Sequence, residues 1–203
     1  MRATEAASPR RPPAQRGGFT VEFALAILLF LTLICLVLEV TRMLYLWNTV
    51  QEVTRQAARG ASVSDFSSAA AMDRVRRRAI FRDTAGKLAL GGDIDDSYVR
   101  IDYLSLDNGG QLQPVAVLPD CPMQNLVNCI NDPNGASCVR FVRARMCVPG
   151  AAADGCQPVP YQPLTPLLAG LFALGGAAVS LPTSDTVVVA ESLGYVAGTA
   201  SCP

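Results

Sequence analysis

The fold of this chain is decided by residues 23–38, which read FALAILLFLTLICLVL. These sixteen residues carry no charge. With Phe19–Val21 and Glu22 in front of them, the run reaches about twenty residues, enough to cross a bilayer at 1.5 Å per residue. Four arginines precede the run, at Arg2, Arg10, Arg11 and Arg16. The pattern predicts one transmembrane helix with its N-terminus in the cytoplasm and the rest of the chain outside.

The segment before the apolar run, residues 1–17, is basic and contains almost nothing apolar to bury, so we expect no packed structure in it. A cleaved secretory signal would end in a small-residue site of the A-x-A type. The residues after Leu38 read EVTRMLYLW and contain no such site. Two interpretations remain, a plain transmembrane anchor and a prepilin-type signal.

The boundary between the two segments, residues 16–23, reads RGGFTVEF. A structural interpretation of Glu22 is that a carboxylate at the start of a helix is favoured by the helix dipole. A functional one is that a carboxylate at the edge of hydrocarbon is costly and usually has a task. Residues 16–62 resemble the TadE-like pseudopilins of tight-adherence (Tad) pilus systems, through this boundary and the later stretch QAARGAS.

The resemblance implies roles for three residues. A prepilin peptidase would cut on the cytoplasmic side after Gly17, making Gly18 the first mature residue and Glu22 the fifth. In the resembled families this glutamate pairs with the new terminal ammonium, of its own or a neighbouring subunit. The implied partners are the bilayer, the peptidase, other pilins or pseudopilins and the inner-membrane assembly platform.

The helix is expected to continue beyond the membrane, so that residues 18–62 form an anchor with an amphipathic extension. Apolar residues recur there at spacings of four, three, four and four, which is helical. They are Leu46, Val50, Val53, Ala57 and Ala61. Residues 63–203 would be a domain outside the cytoplasm, with a second helix over about 66–90, capped by Ser64 or Asp65.

Alternating patterns predict three strands in this domain, at 97–106, 138–147 and 186–190. Residues 111–137 are rich in proline, asparagine and aspartate and are predicted to be a loop. Residues 164–174 are apolar but too few to span a bilayer, which favours a short helix. The expected fold class is α+β: a long N-terminal transmembrane and amphipathic helix, a second helix, and a small antiparallel β-sheet with disulfide-stapled loops.

Six of the seven cysteines follow the anchor, in or near a Cys-rich region at about 119–157 that the resemblance does not cover. They are Cys121, Cys129, Cys138, Cys147, Cys156 and Cys202. Structural zinc prefers closely spaced cysteine pairs, and the chain has no histidine, so disulfides are favoured over a metal. Fifteen pairings are open. Cys147 and Cys156 could close a turn, and Cys35, inside the apolar run, is expected to stay free.

Composition argues against several function classes. The 17 basic and 17 acidic residues give no net charge, which disfavours nucleic-acid binding. Without histidine, phosphate-binding loop or nucleophile elbow, we expect no enzyme and no cofactor. The acidic residues Asp93, Asp95 and Asp96 favour an ordinary loop over a cation site. The basic stretch from Arg74 to Lys87 favours a solvated face over contact with anionic headgroups.

These observations predict a single-pass protein of a bacterial inner membrane, with its C-terminal domain outside the cytoplasm. The resemblance implies a minor pseudopilin that serves the assembly of a Tad (type IVb-like) pilus or a related secretion apparatus. The alternative is a permanently anchored extracytoplasmic binding or adhesion protein.

Overall fold

The structure is a computed structural model that describes residues 18–150, 155–164, 169–170, 179–198 and 202. The predicted leader, residues 1–17, lies outside the described residues, as does most of the short helix predicted at 164–174. The chain divides into two compact units, Met1–Val40 and Thr41–Pro203. The predicted α+β architecture is confirmed, with a long apolar N-terminal helix, further helices and a small antiparallel sheet.

The first helix, α1, spans Gly18–Val63, one residue beyond the predicted segment 18–62. Within the second unit, the apolar face expected from the helical spacing is the buried face. Its five residues are each at most 1% exposed: Leu46, Val50, Val53, Ala57 and Ala61. Thr54 is also fully buried, and its hydroxyl lies 2.7 Å from Ser184 Oγ and 3.0 Å from Thr186 Oγ1. The hydroxyl contacts and the apolar face together hold this half of α1 in the core.

The second helix, α2, spans Ala69–Ala79, so the prediction of a helix over 66–90 is wrong at both ends. Ser68 caps its start, with Oγ accepting a hydrogen bond from the backbone of Ala71 at 3.3 Å. At its end Phe81 adopts a left-handed backbone conformation, with φ 61°. The backbone N–H of Arg82 then bonds the carbonyl of Arg77 at 2.9 Å, closing a helix end that usually carries glycine. Because the residue is phenylalanine and not glycine, the sequence does not indicate that the helix ends here.

The sheet has four strands, ordered β2-β1-β3-β4 and antiparallel throughout. Their bounds are Val99–Leu106 for β1, Leu112–Pro114 for β2, Phe141–Met146 for β3 and Asp185–Val189 for β4. The three predicted strands are therefore present, and β2 is an addition. Val142 lies opposite Tyr103 on one side and Val188 on the other, which sets the register across the sheet.

The prediction that residues 111–137 form a loop is wrong, because they contain β2 and a third helix, α3, at Pro122–Asn131. Cys121 Sγ accepts a hydrogen bond from the backbone of Gln124, and Pro122 occupies the first turn, where its missing N–H does no harm. Asn125 then exchanges two hydrogen bonds with the backbone of Val139, at 2.8 and 3.3 Å. These contacts fix a helix too short to be stable alone.

The outward face of β1 and β3 carries a cluster of charges. Asp102 Oδ2 accepts hydrogen bonds from Arg145 Nη2 at 2.6 Å and Arg143 Nη2 at 3.2 Å, and Oδ1 accepts one from Arg100 Nε at 3.0 Å. The Asp102 side chain is 15% exposed. Burial raises its pKa, but the bonds and charges of Arg145 and Arg100 outweigh burial, so the pKa lies below its usual value. The ionised carboxylate therefore stabilises the fold.

Changing Asp102 to Asn should lower the free energy of unfolding by about 2 kcal/mol at pH 7, because three guanidinium groups lose their common carboxylate. A lowered folded-state pKa contributes stability above the unfolded value near 3.9, and this is lost as pH falls through the folded value. The difference between wild type and variant should therefore shrink below about pH 4. Urea unfolding of the full chain in detergent micelles, at pH 7 and in acid, measures both quantities.

The matched control is Asp73→Asn, the same chemical change at an exposed carboxylate that pairs only with Arg76 on its own helix. Exposed pairs contribute little, so this variant should stay within about 0.5 kcal/mol of wild type. Equal losses in the two variants would contradict a stabilising role for the Asp102 cluster.

Candidate functional site: the apolar anchor and its N-terminal motif

The N-terminal half of α1 has the surface of a membrane-spanning helix. Its most apolar eighteen-residue window has a mean hydropathy of 2.9, and none of that window is buried. Phe19, Leu29 and Leu38 are 76%, 67% and 64% exposed. A core helix of a soluble protein would bury such side chains, and soluble proteins rarely expose apolar patches of this extent. The helix satisfies its own backbone hydrogen bonds, as a bilayer requires. These features indicate single-pass membrane anchoring.

Two of the three motif residues, Gly18 and Glu22, lie in the first two turns of this helix. Gly17 lies outside the described residues. Gly18 is the first residue of α1, and a Cβ added to it would meet nothing within 4 Å. Neither a positive φ nor a close neighbour therefore requires glycine at position 18.

Glu22 lies in the second turn of α1, and the first turn contains no acidic residue. The helix dipole acts mainly within the first turn, so it explains Glu22 less well than the sequence suggested. Among the described residues, Glu22 makes no ion pair within 4.0 Å. The carboxylate thus stands on an exposed, otherwise apolar helix surface, where pairing with a cation from outside the described residues would stabilise it.

The six distal cysteines lie in three pairs at disulfide distance. Their Cα–Cα separations are 5.5 Å for Cys121–Cys202, 4.8 Å for Cys129–Cys138 and 5.0 Å for Cys147–Cys156. The last pair closes the turn after β3, as the sequence suggested. Cys35, in the anchor, is free. Disulfides persist in oxidising compartments, so this pairing suits a domain outside the cytoplasm.

Arg42, whose distant partners the sequence does not reveal, fixes the start of α1 within the second unit. It is only 5% exposed. Its Nε donates to the carbonyl of Leu90 at 2.8 Å, and its Nη1 donates to the carbonyl of Gln162 at 2.6 Å and to Tyr161 Oη at 3.2 Å. The guanidinium also lies 5.1 Å from the centre of the Tyr161 ring. In the sequence, Arg42 stands three residues after Glu39 and four after the end of the apolar run, which does not reveal these partners.

The acidic loop has structural partners of its own. Lys87 Nζ lies 2.6 Å from Asp93 Oδ1, and this contact lowers the pKa of Asp93. Asp95 Oδ1 accepts hydrogen bonds from the backbone N–H of Ser97 at 3.0 Å and from its hydroxyl. Among the described residues, no group of three or more His, Cys, Asp or Glu side chains is placed to hold a metal ion.

Together, the exposed apolar helix and the stapled sheet domain define an α+β protein with a single-pass membrane anchor. The family model for TadE-like proteins matches residues 17–59, which identifies this segment as TadE-like and confirms the resemblance drawn from it. The match includes Gly17, Gly18 and Glu22, and it ends before α2. The match suggests a Tad pilus-related protein with membrane and pilin-type partners. Comparison with curated proteins and with solved structures gave no match.

Proposed function

We propose that this chain is a minor pseudopilin that serves the assembly of a Tad (type IVb-like) pilus or a related secretion apparatus. It acts without catalysis, as a subunit held in the inner membrane with its N-terminus in the cytoplasm and its disulfide-bonded domain outside. One observation carries the proposal: the TadE-like match covers the head of an exposed apolar helix that presents Gly18 and Glu22.

Processing by a prepilin peptidase is the first step of the proposed function. Cleavage after Gly17 removes a segment with four arginines, which binds the helix to the anionic cytoplasmic face of the membrane. It also creates a terminal ammonium at Gly18, four residues before Glu22. On a helix, residues four apart are neighbours at about 6 Å, so the ammonium and the carboxylate of one subunit can pair. The terminal ammonium of an adjacent subunit can pair with Glu22 in the same way.

Pairing at Glu22 would make the assembled subunit more stable than an isolated one. A single carboxylate in hydrocarbon costs about 3 kcal/mol on insertion scales, and a partner cation offsets part of this. A subunit that neutralises Glu22 by packing against another anchor is therefore favoured over an isolated one. The exposed apolar side chains of α1 supply the remaining surface for contacts with lipid and with neighbouring anchors.

The first prediction concerns the mature N-terminus. In cells with an active prepilin peptidase, mass spectrometry of the membrane-bound protein should find Gly18 as the first residue. Gly17→Leu should block cleavage, because a bulky side chain replaces glycine at the cut bond. Gly18→Ala is the matched control and should be processed, since the space around Gly18 is open. An intact Met1 or Arg2 in wild-type protein from these membranes would favour the permanently anchored binding or adhesion protein.

The second prediction concerns Glu22. Glu22→Ala should leave membrane insertion unchanged, because removing a charge makes the helix more apolar. It should reduce the sheared pilus fraction about tenfold, the effect of losing roughly 1.4 kcal/mol of pairing energy. Glu52→Ala removes an exposed carboxylate from the same helix within the second unit and serves as the control. Wild-type piliation in the Glu22 variant would contradict the assembly role of this carboxylate.

A further inference from the structure

A groove lies between α1 and α2, and the proposed role of the anchor and its motif does not involve it. It encloses about 450 Å³. Gly60, Val75 and Ala79 contribute its apolar lining. The two helices approach closely here, since a Cβ on Gly60 would lie 3.1 Å from Val75 Cγ1. Ser64, the first residue after α1, adds a hydroxyl. The helix pair thus forms a preformed concave surface rather than a flat one.

The charged residues that line the groove are all arginines, namely Arg59 from α1 and Arg74 and Arg78 from α2. All three are exposed. Within the part of the chain that the structure describes, none of the three guanidinium groups has an ion-pair partner within 4.0 Å. Arg76, on another face of α2, shows the contrast, because it pairs with Asp73 at 3.0 Å. Three unneutralised cations around one concavity favour an anionic occupant.

We propose that this groove binds the carboxylate groups of an acidic peptide segment presented by a partner protein. Guanidinium groups match carboxylates with paired, parallel hydrogen bonds, which a lysine groove would not provide. The apolar lining accommodates the methylene groups of such side chains. A solvated basic face would explain exposed arginines on either helix, but not their convergence from two helices on one groove. The inference is independent of the proposed pilus function, since it rests on the groove alone.

The position of the groove along α1 favours a protein partner over a lipid headgroup, which offers similar anionic chemistry. The chain enters the second unit at Thr41, and Arg59 follows eighteen residues later. Eighteen residues of helix take up about 27 Å. A headgroup layer is only about 5–8 Å thick on each side of the hydrocarbon. The groove therefore lies far along the unit from the end at which α1 enters it.

The experiment uses the full chain in nanodiscs of a zwitterionic lipid and a fluorescein-labelled peptide of four glutamates, followed by fluorescence anisotropy. Arg59→Gln, Arg74→Gln and Arg78→Gln should each weaken binding about fivefold, as expected for loss of one exposed charged contact. The control, Arg55→Gln, makes the same charge change at an exposed arginine on α1 outside this groove, and should weaken binding less than about twofold. A peptide of four glutamines should not bind.

Folding and lipid competition are controlled separately. The exposed arginine variants should keep the wild-type thermal unfolding midpoint, so lost binding cannot come from unfolding. Adding phosphatidylglycerol to the nanodiscs should leave peptide binding within about twofold at physiological salt, where charges are screened beyond about 8 Å. Equal losses for Arg55→Gln and Arg74→Gln, or no binding of the glutamate peptide, would overturn the proposal. So would loss of peptide binding on phosphatidylglycerol-containing nanodiscs, which would assign the groove to headgroups.

Discussion

The structure depends on a single helix whose two halves require different surroundings. From Gly18 to Leu38, the side chains of α1 are, apart from Glu22, mostly apolar and exposed, a surface that water disfavours and hydrocarbon accepts. From Leu46 onward, one face of the same helix is fully buried among the strands and loops of the second unit. Neither half is stable in the other's environment. The boundary near Val40 therefore fixes which part of the chain is anchor and which part is folded domain.

The second unit combines an ordinary apolar core with covalent and polar ties. In the chain-entropy view, a disulfide stabilises more when it closes a longer loop, about 4.5 kcal/mol for the 81-residue Cys121–Cys202 closure and about 2.6 kcal/mol for each nine-residue closure. Arg42 and Asp102 add buried or half-buried charge contacts within the same unit. These ties add to the stability that the apolar core supplies.

Patterns of apolar residues predicted most of the fold, because periodicity reports directly on burial. The face of α1 from Leu46 to Ala61 and the alternation in β1 and β3 both follow from the spacing of apolar residues alone. The misses have local causes. α2 ends before Phe81, which adopts a left-handed backbone conformation, and a phenylalanine in the sequence does not indicate this conformation. Cys121 and Pro122, a cap and a first-turn proline, mark the start of α3, but proline and asparagine are also common in loops.

In the candidate site, too, the sequence predicts features that depend on local spacing and misses those that depend on distant contacts. The spacing of Gly17, Gly18 and Glu22 is local, so the sequence contains it in full. Arg42 and the groove arginines act through residues far away in the chain or on another helix, and no local pattern brings Arg42 to Tyr161 or Arg59 to Arg74. The Asp102 cluster likewise requires the register of β1 against β3, which the sequence alone leaves open.

The proposed topology places a disulfide-bonded domain, held by an apolar anchor, on the oxidising side of a membrane. Its most direct test is disulfide mapping by mass spectrometry, with thiols blocked in intact cells before lysis and without reductant. This topology predicts peptides linking Cys121 to Cys202, Cys129 to Cys138 and Cys147 to Cys156, with Cys35 as a free thiol. Blocked, unpaired thiols at Cys138 and Cys147 in the membrane-inserted protein would contradict both the fold's covalent ties and the location of the domain.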